Sequence, residues 1–172
     1  MIEVYITRRS ISSADFLRKI LSDQYGISVT EIKRTKNGKP YIENDRVFFS
    51  ISHSHELLTI ALSENPVGID IEKISERKAY HALYNRLTEE EKREIQSTED
   101  FFRLWTKKES FIKLNGLTLS AYPDISIQNN TLYFQNKPQS VFFSSGTIGR
   151  YVFSLCSHTP AEWKVITDNT VD

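Results

Sequence analysis

Val67-Gly68-Ile69-Asp70-Ile71-Glu72 is the stretch on which the reading of this chain turns. In an extended strand successive side chains point to opposite faces, so Val67, Ile69 and Ile71 share one side and Asp70 and Glu72 the other. The apolar side belongs on a core, which leaves two carboxylates side by side, about 6–7 Å apart along the backbone. Like charges that close resist joint ionisation unless a cation sits between them. Oxygen ligands with no His or Cys nearby suit Mg²⁺ rather than zinc. Magnesium takes one or two carboxylates, some waters and a substrate phosphate. Taken alone, the pair fits the acidic face of an ordinary half-exposed strand at least as well.

Working outward, residues 2–6 read as a strand and residues 13–25 as a helix, with Phe16, Leu17, Ile20 and Leu21 at helical spacing, a Ser12 or Ser13 cap and Gly26 as terminator. Residues 29–33 are extended, and Asn37-Gly38-Lys39-Pro40 is a turn. Strands are expected at 47–52, 57–62 and 67–72, with His53-Ser54-His55 and Glu64-Asn65-Pro66 as connections. Thr88 followed by Glu91 has capping-box spacing, and Thr98 or Asp100 opens a longer helix that Gly116 ends. Strands return at 125–128, 131–135, 141–144, 148–157 and 163–166, with Asn129-Asn130 as a tight turn between the first two. Helix, strands, helices and strands again make an α+β fold.

The chain has 172 residues, with 39% hydrophobic and 12% aromatic side chains, and a chain this long buries roughly 70% of its extended surface. Neither disorder nor a need for metal or disulfide staples fits that profile. The single cysteine, Cys156, excludes an internal disulfide, a cysteine zinc cluster and a CxxC pair, and its apolar surroundings place it in the core. No apolar run approaches the ~18 residues of a membrane span. The opening MIEVYITRR puts its basic residues after the apolar run, the reverse of a secretory signal, so a cytoplasmic protein is expected. Net charge is zero but uneven. Residues 1–40 carry eight basic and four acidic side chains, and residues 64–100 carry ten acidic and six basic. Such a division suits a place where a polyanion meets a metal cation, and equally suits scattered surface charge.

The helix after residue 98 supplies a third acid. Phe101, Leu104, Trp105, Phe111 and Ile112 form its apolar stripe, with Glu109 on the flank, Lys113 one turn further on, and Lys108 inside the stripe. Read plainly, Glu109 and Lys113 form a surface ion pair worth a few tenths of a kcal/mol, and Lys108 snorkels from a crowded face. Read with Asp70 and Glu72, the three acids hold Mg²⁺ and the lysines meet phosphate oxygens, as phosphoryl transfer requires. Lys39 and the strand-end pair Ser52-His53 could hold a terminal phosphate by charge-assisted hydrogen bonds, although His53, on the face of Val47, Phe49 and Ile51, also reads as a satisfied semi-buried histidine.

Four segments in order, NGKPYI (37–42), FSISHS (49–54), VGIDIE (67–72) and LWTKKESFIKLNG (104–116), resemble the 4′-phosphopantetheinyl transferases of the surfactin-synthetase-activating (Sfp) type. The resemblance implies transfer of phosphopantetheine from coenzyme A to a serine of an acyl or peptidyl carrier domain. It implies that Asp70, Glu72 and Glu109 hold Mg²⁺ (or Mn²⁺), that Glu109 is the base for the carrier serine, that Lys108 and Lys113 contact phosphates, and that Lys113 protonates the leaving group. Lys39 and Pro40 would border the adenine, and Ser52 and His53 would meet the 3′-phosphate. The implied fold is a pseudo-twofold pair of similar α+β halves, here 1–74 and 75–172, in a monomer with neither a nucleic-acid nor a membrane partner.

Sfp-type enzymes usually carry about thirty more residues before an Arg-rich entry to the first helix. Here Arg9, or Arg8, is expected to supply that cationic contact. Lys33–Lys39 and Arg18-Lys19 could steer an acidic carrier, and residues 78–87 could give it an apolar dock or simply face inward. Two other functions share the acids: a Mg²⁺-dependent phosphodiesterase, and a non-catalytic homologue that binds coenzyme A and carrier without turnover.

Overall fold

Alternating apolar positions build two sheets, each with a helix on its outer face. A computed structural model of the chain describes residues 1–43, 46–75 and 83–168. Its elements are β1 (Ile2–Arg8), α1 (Ser13–Tyr25), β2 (Lys33–Arg34), β3 (Pro40–Tyr41), β4 (Phe48–Ser54), β5 (Leu57–Ser63), β6 (Val67–Lys73), α2 (Glu89–Glu94), α3 (Thr98–Leu114), a 3₁₀ turn at Leu119–Asp124, β7 (Ile125–Gln128), β8 (Thr131–Phe134), β9 (Lys137–Pro138), β10 (Phe142–Ile148), β11 (Tyr151–Ser157) and β12 (Trp163–Thr167). One sheet is ordered β12-β1-β5-β4 and the other β10-β11-β6, with β2-β3 and β7-β8-β9 as small companions. No helix of the described residues is long and apolar enough to cross a membrane.

Strand alternation sorts the core into three clusters. Phe16, Leu17, Ile20 and Leu21 of α1 pack on Leu58, Ile60 and Leu62 of β5. The other face of that sheet, with Val4, Ile6 and Ala61, meets Val67, Ile69, Ile71, Phe153 and Leu155 of the second sheet. The far side of the second sheet, with Val152 and Cys156, packs under Phe101, Trp105 and Ile112 of α3. The packing order is therefore α1, sheet, sheet, α3. It turns the odd positions of β6 into the central core and turns Gly68, Asp70 and Glu72 toward α3.

Gly68 sets how closely that helix lies. A Cβ there would fall 1.9 Å from the Ser110 carbonyl oxygen and 2.6 Å from Leu114 N, so only glycine lets α3 rest on β6. The helix starts at Ser97, whose hydroxyl accepts from Asp100 N at 3.1 Å. A clasp from the first half meets its far end: Asn37 donates to Gly116 O at 2.9 Å and the Lys39 ammonium to Leu114 O at 2.8 Å. A cation on the last carbonyls of a helix satisfies orphan acceptors and complements the helix dipole.

Several boundaries differ from expectation. The strands expected at 141–144 and 148–157 are the two arms of one hairpin, β10 running on to Ile148 and β11 starting at Tyr151, with the turn where Gly149 takes φ 53°. β4 runs on through His53 and Ser54 and turns at His55, with φ 49°, so the His-Ser-His segment belongs mostly to the strand. Of residues 29–33 only Lys33 joins a strand. Asn129 and Asn130, both at positive φ, make the expected tight turn, and Cys156 is fully buried. Hydrogen bonding crosses between residues 74 and 75 twice over, because β6 pairs with β11 and β12 lies parallel to β1.

Candidate active site

Asp70 and Glu72 stand on β6, facing α3, and β4 runs beside them. Ser52 Oγ donates to Asp70 Oδ1 at 2.7 Å, and Ser54 Oγ donates to Glu72 Oε2 at 2.7 Å. From α3 the Lys113 ammonium reaches both Asp70 Oδ1 and Ser52 Oγ at 2.7 Å. Glu109, one turn earlier on the same helix and 8% exposed, lies close enough to feel both acids. Burial, then the Asp70 charge, pushes the Glu72 carboxyl up to about 7. Burial, then Asp70 and Glu72, does the same to Glu109, with Lys113 pulling the other way. Three acids from two elements thus share one electrostatic neighbourhood.

Two oxygens in this group, Asp70 Oδ2 and Glu109 Oε1, are buried without a hydrogen-bond partner. Buried carboxylate oxygens are costly to leave unpaired, so their orphaning marks a place for a ligand. All donors are carboxylate or hydroxyl oxygens, the set that suits Mg²⁺ or Mn²⁺ and not zinc. Among the described residues no three such groups already converge as a metal centre, and the Lys113 ammonium lies 2.7 Å from Asp70 Oδ1.

A cavity of about 510 Å³ opens beside Asp70. Pro40, Ser52, His53, Asp70 and Lys113 line it, as do Arg18 and Arg34, which the sequence reading did not place there. His53 stands in its wall, more open to solvent than the semi-buried reading expects. Its imidazole is held below its usual pKa by partial burial and by Arg9 and Lys113, which puts Arg9 near the cavity as well. Arg9 also donates to His55 O at 3.4 Å.

Two expected contacts are not brought here. Lys108 is fully buried, its ammonium 2.9 Å from Glu91 Oε1 and over the Tyr122 ring at 4.4 Å. It neither snorkels nor lines the cavity, because Glu91, itself fully buried and accepting from Ile127 N at 2.9 Å, needs its charge. Lys39 lends the cavity only its neighbour Pro40, its own ammonium being spent on the end of α3. Residues 78–82 of the expected carrier dock lie outside the described residues; Leu87 is buried, and Leu83 and Tyr84 pack against the α3 core.

An acid cluster of all-oxygen donors beside a cavity walled by Arg, Lys and His is the equipment of a protein that grips phosphate esters. Residues 66–166 match the model of the 4′-phosphopantetheinyl transferase superfamily, and the chain belongs to that family. It is 34% identical over 162 residues to the 4′-phosphopantetheinyl transferase gsp of Aneurinibacillus migulanus, covering 87% of this chain and 68% of that protein. It is 34% identical over 122 residues to Sfp of Bacillus subtilis, covering 65% and 54%, and 30% identical over 134 residues to AcpT of Salmonella typhimurium, covering 73% and 66%. The chain thus spans between about half and two thirds of the length of these relatives.

Proposed function

We propose that this chain transfers the 4′-phosphopantetheine group of coenzyme A to a serine of an acyl or peptidyl carrier protein, releasing adenosine 3′,5′-bisphosphate. The observation that carries the reading is the shared field of Asp70, Glu72 and Glu109, with Asp70 lining a cation-walled cavity. Asp70, Glu72 and Glu109 would hold Mg²⁺, or Mn²⁺, which when bound neutralises charge on the diphosphate. Glu109, its carboxyl pushed up to about 7, is suited to take the proton of the carrier serine near neutral pH. The serine oxygen then bonds to the pantetheine-side phosphorus as the bond to the adenosine bisphosphate oxygen breaks. Lys113 gives that departing oxygen a proton. Arg9, His53 and the two further arginines of the cavity, Arg18 and Arg34, would hold the 3′-phosphate, and Pro40 would flank the adenine.

Ser52 takes a different part from the one first expected. Its single proton goes to Asp70, and its lone pairs accept from Ile71 N and Lys113, so it orients the acid and the lysine rather than donating to a phosphate. The pseudo-twofold reading, halves 1–74 and 75–172, is supported by the helix packed on each sheet, and the protein would act in the cytoplasm as a monomer.

The test is the intact mass of a panel of apo carrier domains from fatty acid, polyketide and nonribosomal peptide systems after incubation with coenzyme A and Mg²⁺. A phosphopantetheine-sized gain in mass, lost with EDTA, is expected for at least one carrier. Hydrolysis of coenzyme A without acceptor would instead make the chain a phosphodiesterase, and binding without mass gain a non-catalytic homologue.

A further inference from the structure

β4 and β6 are edge strands of different sheets, yet they run side by side in one constant register. Ile69 N donates to Ser50 Oγ at 3.1 Å, Ile71 N to Ser52 Oγ at 3.3 Å and Lys73 N to Ser54 Oγ at 3.1 Å, each pair 19 residues apart. An unchanging offset means that the strands are parallel. Serine hydroxyls stand where a neighbouring strand's carbonyls would accept, so the two edges are joined by side chains and not by a backbone ladder.

The chemistry of the hydroxyl makes this more than a seam. A serine oxygen has one proton to give and two lone pairs to receive with. Once Lys73 N occupies a lone pair of Ser54, the proton is left to point elsewhere, and it points at Glu72 Oε2, 2.7 Å away. Ser54 is 6% exposed, so the donor side of that bond is shielded, while Glu72 itself is half-buried. Ser50, first in the series and 4% exposed, makes the same backbone bond with no carboxylate beside it. The ladder thus contains its own internal comparison: one rung that only joins strands and one that joins strands and aims an acid.

We infer that Ser54 is a positioning residue for the divalent-metal site, fixing the rotamer of Glu72 so that the carboxylate is presented ready for the ion. The inference rests on the proposed Asp70–Glu72–Glu109 metal site. Hydrogen-bond partners behind metal ligands commonly set affinity by 10–100-fold, and the β4–β6 register supplies such a partner here without any contact between Ser54 and substrate.

The experiment titrates Mn²⁺ into the purified chain without coenzyme A and reads free Mn²⁺ by electron paramagnetic resonance, with thermal midpoints measured in EDTA. Ser54→Ala should bind Mn²⁺ about tenfold more weakly, Ser54→Thr should restore most of that loss, and Ser50→Ala should lower the thermal midpoint while leaving Mn²⁺ affinity within about twofold of the parent. Should Ser54→Ala not fold, Ser54→Cys keeps the volume with a poor donor and should show the same weakening. Parent-like affinity in Ser54→Ala or Ser54→Cys, or an equal loss in Ser50→Ala, would overturn the positioning role. Undiminished Mn²⁺ binding by Asp70→Ala would instead remove the metal site itself, and this inference with it.

Discussion

Glu72 and Glu109 bind a proton more tightly folded than unfolded, at about 7 against an ordinary 4.5. Each therefore costs the metal-free fold stability as pH climbs from about 4.5 through 7. His53 acts in the opposite sense, since a depressed imidazole pKa gives stability that is lost as pH falls below about 6.5. Two acids outweigh one exposed imidazole, so in EDTA the thermal midpoint should be lower at pH 8 than at pH 6. Glu109→Gln should raise the midpoint at pH 8 by about 3–6 °C, change it little at pH 5, and reduce carrier modification at least 100-fold. Scanning fluorimetry beside the mass assay separates the two effects; an unchanged midpoint at pH 8 would contradict the buried-charge account. Lys108 makes the opposite case, a charge that the fold itself needs. Lys108→Met leaves Glu91 buried and uncompensated, and should cost about 3–5 kcal/mol in urea unfolding. The double variant Lys108→Met/Glu91→Gln should recover much of that with its KM for coenzyme A within about threefold of the parent, whereas a phosphate contact by Lys108 would leave KM high in both.

At the level of elements, β6 and α3 make the site by lying closer than side chains permit. Gly68→Ala would drive a methyl into the Ser110 carbonyl and should destabilise the chain by about 3 kcal/mol. It should also depress transfer more strongly than adenosine 3′,5′-bisphosphate binding, because α3 carries Glu109 whereas much of the cavity wall comes from α1, β2 and β4. Calorimetry of the nucleotide beside the mass assay checks this, and parallel losses in both would count against it. The acids and the helix were legible because each is a local pattern, Asp70 and Glu72 by alternation, Glu109 and Lys113 by one helical turn. Ser54 was not placed, because His-Ser-His looks like a connection; the turn falls at His55 instead, which takes the left-handed conformation. The period-two series Ser50, Ser52, Ser54 was in the letters as the one available signal. Lys108 stood out on the wheel, but its partner lies 17 residues earlier, at a spacing no period reports. Arg18 and Arg34 share the cavity only because α1 and β2 converge on it, which no single segment foretells.

For the molecule as a whole, the α+β class followed from the order of helical and alternating stretches, and the site from four motifs in register. The division of strands between sheets did not follow. A parallel pairing of residues 2–6 with residues 163–167 leaves no local trace, since both partners read as ordinary short strands. That pairing has a consequence during synthesis. Every β1 hydrogen bond on its outer side waits for the last strand to leave the ribosome, which at typical elongation rates is on the order of ten seconds after β1 itself appears. Through that interval the nascent chain carries an uncapped edge of the kind that invites pairing with a neighbour, so polysome crowding and chaperone supply should bear on how much of the chain a cell recovers folded.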